Sequence, residues 1–392
     1  MRYIARDLEK QILTAARNFP SLVLTGPRRS GKTVLLKHLF PKASYHLFED
    51  PDVVARFRHD PQGFLDGVRL PAILDEIQNT PEVFNYVRSR ADREPRKTGR
   101  WFLTGSQESG LMRNVTESMA GRAAVMHLLP LSARESPRAT LLRGGYPEVV
   151  ARPAAARLCF SSYLQTYLER DVRAVTAVKE LAMFRRFLAL VASRHGQVLN
   201  KSDLAAPLGM SVPGIGKWLD ILEATAQVLI VPPYFENLGK RLIKSPKLYI
   251  ADSGLACHLL GIETEAELEK SPFLGALFEG FIAAEIVKAQ VNTGRRSELY
   301  YFRDQQGLEV DFIVPGSNAS VTLVEAKASR TITPDMADPM QRLAAAWTAR
   351  RDKRGGIRRV LVHRPARTLV RSRAVAPDVQ ALSWQEFVRE GL

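Results

Sequence analysis

The chain has 392 residues, 45% of them hydrophobic and 25% charged, with a formal net charge of +15. That length exceeds one ordinary core and predicts two to four domains. No apolar run is long enough to span a bilayer, and the opening Met1-Arg2-Tyr3-Ile4 lacks a signal-peptide core, so a cytoplasmic protein without a membrane partner is expected. Only two cysteines occur, Cys159 and Cys257, far apart, which sets aside a disulfide framework and a zinc site. The positive charge suits a polyanionic partner, because neutralising phosphates releases counterions. An Arg-rich genome raises the charge without any such partner, so charge by itself leaves both readings open.

In chain order, residues 3–18 read as an amphipathic helix with Ile4, Leu8, Ile12 and Leu13 on one side, ended by Phe19-Pro20. The apolar run Leu22-Val23-Leu24 then leads into Gly26, Pro27, Arg28, Arg29, Ser30, Gly31, Lys32 and Thr33, the phosphate-loop pattern G-x-x-x-x-G-K-[ST], and a helix-spaced stretch from Val34 follows. In that context backbone N–H groups wrap phosphates at a helix start. Lys32 reaches the outer phosphates and the Thr33 hydroxyl ligates Mg²⁺. A strand at 44–48 and a turn at Glu49-Asp50-Pro51-Asp52 come next. Leu70 to Gln78 reads as a buried strand whose carboxylates emerge at its end, Asp75 binding Mg²⁺ through water and Glu76 polarising the attacking water.

The strand 100–104 ends in polar residues, of which Thr104, Ser106 and Gln107 are candidates to sense the γ-phosphate, Ser106 first; a plain strand-to-turn exit is the alternative. The fifth strand, 123–128, follows Arg122, which either acts on phosphate, in cis or across a homo-oligomer interface, or is an ordinary surface arginine. Five short strands separated by helices predict an α/β fold with a parallel sheet and the nucleotide at the strands' carboxyl ends, over residues 1–135.

Residues 136–195 read as a helical lid or linker, in which Glu169, Arg170, Asp171 and Arg173 form either a lid contact or a salt-bridged face. From 196 to 265 the pattern is that of a winged helix. One helix runs from 183 to 192, a second starts at Lys201 with Ser202 as its cap, and a third, opened by Ser211, is the recognition helix. Strands at 228–231 and 247–251 flank a basic wing at 237–244. Lys201, Lys217, Lys240, Arg241 and Lys244 suit phosphate contacts, although winged helices also bind proteins.

Residues 266–392 hold a second constellation. A helix carries Glu279, a hairpin of 299–303 and 308–314 carries Asp311, and a strand at 321–327 places Glu325 and Lys327 on one face. Asp311 and Glu325 would hold Mg²⁺ with Glu279 completing the site, while Lys327 orients or activates water. Arg350, Arg351, Lys353, Arg354, Arg358 and Arg359 flank a further strand and make either a solvated face or a surface for a nucleic-acid backbone.

The succession of phosphate loop, Leu74-Asp75-Glu76-Ile77-Gln78, Leu103-Thr104-Gly105-Ser106, Ala120-Gly121-Arg122, Gly144-Gly145-Tyr146-Pro147-Glu148 and Tyr167-Leu168-Glu169-Arg170 resembles a prokaryotic family of AAA-type P-loop ATPases. Its C-terminal half was long catalogued as a domain of unknown function. Glu279, Asp311 and Glu325-Ala326-Lys327 resemble the PD-(D/E)xK nuclease core. The resemblance implies ATP and Mg²⁺ as cofactors, with hydrolysis at Lys32, Asp75, Glu76 and Ser106 and a nuclease-like site that either cuts or only clamps DNA. Three readings follow: an ATPase acting on DNA, an ATP-dependent regulator whose last domain only binds DNA or protein, and a toxin or defence component with another polyanionic target.

Overall fold

The computed structural model describes residues 3–105, 119–167, 181–234, 244–348, 356–365 and 374–390. The first helix, α1, is Glu9–Asn18, shorter than the apolar spacing predicts. Residues 3–8 are drawn instead into a network. The Glu9 carboxylate accepts from Tyr3 Oη and the Arg6 amide, both at 2.7 Å, and the Arg6 side chain reaches away from the helix axis. Tertiary bonds here outweigh helix periodicity.

Strands β1 (Ser21–Thr25), β2 (Ser44–Leu47), β3 (Ala72–Asp75), β4 (Trp101–Thr104) and β5 (Ala123–His127) form a parallel sheet in the order β2-β3-β4-β1-β5. The central strands β1, β3 and β4 are buried on both faces. Val23, Leu74 and Leu103 pack on one side with Phe48, Phe57 and Phe84; Leu22, Leu24, Ile73 and Phe102 pack on the other with Ile12, Leu35 and Leu36. Near-continuous apolar runs are the pattern that such double burial requires. Helices α2 (Lys32–Leu39), α3 (Pro51–His59), α4 (Pro61–Asp66) and α5 (Val83–Arg93) complete the layers.

Helices α6 (Pro147–Ala151), α7 (Ala156–Tyr167) and α8 (Leu181–Ser193) lead to a small antiparallel sheet of β6 (Gln197–Val198), β7 (Val228–Val231) and β8 (Lys247–Ile250), in the order β6-β8-β7. Between β6 and β7 lie α9 (Lys201–Ala205) and α10 (Val212–Ala224). The cap of α9 is Asn200, whose Oδ1 accepts from the Ser202 amide; Ser202 is itself inside the helix. Ser211 does cap α10, its Oγ accepting from the Gly214 amide.

After α11 (Ser253–Leu259) and α12 (Glu265–Lys270) comes α13 (Leu274–Asn292), which is apolar nearly all round and correspondingly buried along its length. Six strands follow, β9 (Tyr300–Arg303), β10 (Glu309–Pro315), β11 (Val321–Lys327), β12 (Ile357–His363), β13 (Ala374–Ala376) and β14 (Val379–Ser383), in the order β13-β14-β12-β11-β10-β9. The β9–β10 pair is the expected hairpin, with a register shift between Val310 and Ile313 that sets Asp311 in a bulge. Helix α14 (Asp338–Thr348) shares a core with β10, β11 and β12, and α15 (Trp384–Glu390) ends the described chain. One continuous core runs from Phe184 and Ile215 through Leu248 and Tyr249 to Ile282, Val324 and Leu382, so the middle and C-terminal regions are packed together.

Candidate functional site: a nucleotide cradle and a lysine-filled acidic site

At the carboxyl end of β1, Gly26 has φ of +145° and a Cβ there would stand 2.2 Å from the Leu128 carbonyl oxygen, so only glycine fits. Gly31, at φ +98°, opens α2. Lys32 Nζ donates to the Gly26 and Pro27 carbonyls, each at 3.0 Å. Asp75, 2% exposed, accepts from Thr33 Oγ1 at 2.8 Å and Tyr45 Oη at 2.7 Å on one oxygen, and from Thr104 Oγ1 on the other. Glu76 leaves the strand in a left-handed conformation, φ +57°, where Gln78 Nε2 donates to its carboxylate. Burial and the Asp75 hydrogen bond push the Tyr45 phenol upward, so it stays a donor.

Neighbouring segments hold this cradle. Arg6, 6% exposed, donates to the Ser30 carbonyl at 3.0 Å, to the Leu129 carbonyl and to Glu135 at 3.0 Å. Arg28 pairs with Glu49 at 3.7 Å and Arg29 with Glu148 at 3.1 Å. Arg122 pairs with Asp92 on α5 at 2.5 Å. Ser106 and Gln107 lie outside the described residues, as do Glu169, Arg170, Asp171, Arg173, Lys240, Arg241, Arg350, Arg351, Lys353 and Arg354. Sequence reasoning missed Tyr45 and Arg6. Tyr45 had a signal in its place on the strand beside β3, whereas Arg6 had none.

The second constellation gathers where β10 and β11 meet α13. Asp311 Oδ2 accepts from the Ala326 amide at 2.9 Å, and Glu325 Oε2 from the Asp311 amide at 3.4 Å. Lys327 Nζ bonds Glu325 Oε1 at 2.6 Å. Glu279 Oε1 accepts from Lys247 Nζ at 2.8 Å and Tyr249 Oη at 2.5 Å. Lys247 also lies 2.5 Å from Glu309 and 3.9 Å from Asp311. Burial first, then the Asp311 charge, raises Glu279 to about 7 and Glu325 to about 8, against the opposing pull of Lys247 and Lys327. Burial works to lower the Lys247 ammonium, but Glu279, Asp311 and Glu309 outweigh it and hold it charged. Lys247 was read only as the start of a strand beside the wing; the signal was that residues 247 and 249 share one strand face.

Three family models match the chain: an AAA domain over residues 18–136, and domains of unknown function over 134–266 (DUF8612) and 274–372 (DUF4143). The uncharacterized protein Rv2008c of Mycobacterium tuberculosis is 32% identical over 343 residues, spanning 86% of this chain and 76% of that protein. The uncharacterized protein Mb2031c of Mycobacterium bovis matches to the same extent. The chain belongs to the family of these mycobacterial proteins. Its first part is an AAA-type P-loop domain built on the five-stranded parallel sheet. Among solved structures, the Walker-type ATPase paby2304 of Pyrococcus abyssi overlays with a TM-score of 0.42 at 14% identity, covering 65% of this chain and 95% of that one. RuvB of Thermotoga maritima gives 0.30 at 16% identity, covering 58% and 86%. Neither likeness bears weight at such scores.

The two sites differ in their fit to a metal. Thr33 and Asp75 offer hard oxygen donors within hydrogen-bond distance of each other at the phosphate loop, the donor set that Mg²⁺ shares with a nucleotide. In the C-terminal site the expected set of Glu279, Asp311 and Glu325 is interleaved with lysine, Lys247 lying between Glu279 and Asp311 and Lys327 on Glu325. Among the described residues no three His, Cys, Asp or Glu side chains are grouped to hold an ion. The charge inside that site comes from lysine. Among the described residues, no helix is long and apolar enough to cross a membrane.

Proposed function

We propose that the protein hydrolyses ATP and that its nucleotide state sets how its middle and C-terminal regions engage DNA. The observation that carries this reading is a hydrogen-bonded path from the phosphate loop to α13. Arg6 joins the Ser30 carbonyl to Glu135, and Glu135 accepts from Asn292 at 3.5 Å. Glu285, on the same helix, accepts from the Ala133 amide at 2.8 Å, and Lys288 reaches the Leu131 carbonyl. Helix α13 also carries Glu279, so one element belongs to the C-terminal site and reaches the phosphate loop through Glu135 and Arg6. A loop that rearranges around phosphates therefore has a physical route to the C-terminal region.

In this reading residues 1–135 are the ATPase, with Lys32 on the phosphates, Thr33 and Asp75 at Mg²⁺, and Glu76 orienting water. Residues 136–195 form the lid and linker, 196–265 a winged helix, and 266–392 a nuclease-like domain. The order α8, β6, α9, α10, β7, β8 supports the winged-helix assignment. Lys201, Lys217 and Lys244 are exposed and free to meet phosphates. A second reading, a regulator whose last domain binds without cutting, is favoured by the lysines that stand among Glu279, Asp311 and Glu325, no three acids among the described residues being grouped to hold an ion.

Duplex and single-stranded DNA titrated against the full chain, by fluorescence anisotropy over a salt series, tests the proposal. Expected are a linear fall of log affinity with log salt, a shallower slope for Lys201→Ala with Lys217→Ala, and a difference between ATP-loaded and nucleotide-free protein that Lys32→Ala removes. Affinity indifferent to both salt and nucleotide would overturn it. Mg²⁺- or Mn²⁺-dependent cutting that disappears in Asp311→Ala and Lys327→Ala would establish processing; binding without cutting selects the regulator.

A further inference from the structure

We infer that Lys247 is the resident cation of the C-terminal acidic site, a tethered ammonium standing among the carboxylates that a divalent ion would need, and that the site takes no metal while the β7–β8 hairpin is docked. Lys247 is 3% exposed, with three carboxylates around its Nζ at 2.5, 2.8 and 3.9 Å. This is not a surface side chain resting on a convenient partner. It is delivered by a strand of the middle sheet into a pocket made by the C-terminal one.

Most of the carboxylate oxygens face partners from within the chain. Glu279 Oε1 is shared by Lys247 and Tyr249, which alternate onto the same face of β8. Glu325 gives one oxygen to Lys327 and the other to the Asp311 amide. Asp311 gives Oδ2 to the Ala326 amide and faces Lys247 with Oδ1. The fourth acid, Glu309, is held by Lys247 and Arg303. A divalent ion entering this arrangement would meet an ammonium a few ångströms away in a site shielded from water, where like charges repel strongly. The ion and the seated lysine exclude each other.

Lys247 is held at its tip by three carboxylates, and the hairpin that carries it is fastened to the edge of the C-terminal sheet. The Tyr234 amide donates to the Tyr301 carbonyl at 2.7 Å, the Tyr301 amide to the Pro232 carbonyl at 3.1 Å, and Tyr301 Oη to the Ser245 carbonyl at 2.5 Å. Both arms of the hairpin, just after β7 and just before β8, are thus bonded to one residue of β9. Metal entry at Glu279, Asp311 and Glu325 and withdrawal of the hairpin become one event. The site is locked by the region on which the proposed DNA contacts lie, and the lock holds whether or not DNA is the partner.

The test is Mn²⁺ binding to the full chain, without nucleotide or DNA, followed by electron paramagnetic resonance. A Thr33→Ala background silences the cation position at the phosphate loop. This protein should bind no Mn²⁺ that Asp311→Asn removes. Lys247→Ala in the same background should gain a single bound Mn²⁺, lost again on adding Asp311→Asn. Lys247→Gln, neutral but still able to donate to Glu279, guards against a fold that fails with alanine, and is expected to gain the same ion. Asp311-dependent Mn²⁺ in the parent overturns the inference even if neither variant folds. A folded Lys247 variant that gains no ion overturns it too. Since neither ATP nor DNA is present, failure here is distinct from failure of the proposed function.

Discussion

The nucleotide cradle and the C-terminal acidic site both bury carboxylates, yet they settle that charge in different ways. Asp75 is surrounded by the hydroxyls of Thr33, Tyr45 and Thr104, neutral donors whose bonds a cation can share. Glu279 and Glu325 are instead met by the ammonium groups of Lys247 and Lys327. Hydroxyls solvate a carboxylate without cancelling its charge, so it remains a ligand. Lysine beside them, and the protons that burial helps them keep, offset the charge from within the chain. The same residue types therefore imply different chemistry according to what neutralises them.

The sharpest way to break the comparison is at the nucleotide end. Lys32→Ala is expected to lower ATP turnover by on the order of 10²-fold or more, since it removes a fixed charge from the phosphates. Glu76→Gln should stop turnover while ATP stays bound, seen as retained nucleotide after rapid filtration. Normal turnover in both would mean that this cradle is not the hydrolytic site.

A second measurement sharpens the C-terminal half. Glu279 at about 7 and Glu325 at about 8 are raised above an unfolded value near ~4.3, so the folded state binds more protons across that interval. Their contribution to stability is therefore full below the unfolded value and is lost as pH rises through the folded ones. Urea unfolding should show stability falling by a few kcal/mol, to order of magnitude, between about pH 5 and pH 8. Glu279→Gln should flatten that profile. A profile rising over the same interval would mean that the lysines, and not burial, govern these carboxylates.

The smallest expected effect is at Tyr45. Tyr45→Phe removes one neutral hydrogen bond from Asp75 and should cost about 1 kcal/mol, read as a few-fold weaker response to Mg-ATP in a fully folded chain. A loss as large as that of Lys32→Ala would make the tyrosine a reacting group and not a support.

How much could be read beforehand varies by residue. The phosphate loop was legible because its spacing is dictated by the ligand: glycines where backbone must approach, then Lys32 and Thr33 at fixed offsets. The central strands β1, β3 and β4 were legible because double burial writes itself as apolar runs. The helix at 3–18 was overread since nothing local reveals that Arg6 is pulled toward Ser30, and the cap at Asn200 was placed two residues late because both asparagine and serine serve that role.

What the sequence by itself determined is therefore what lives in short contiguous stretches: the loop pattern of Gly26 to Thr33, the adjacent acids Asp75 and Glu76, and the parallel sheet at whose carboxyl end they lie. Glu279, Asp311, Glu325 and Lys327 were also visible as types. Only the tertiary structure decided their surroundings, because Lys247 comes from a different sheet and arrives through strand alternation and hairpin docking, not through proximity along the chain. A carboxylate's role depends on the charge beside it in space, and that neighbour is not written next to it in sequence.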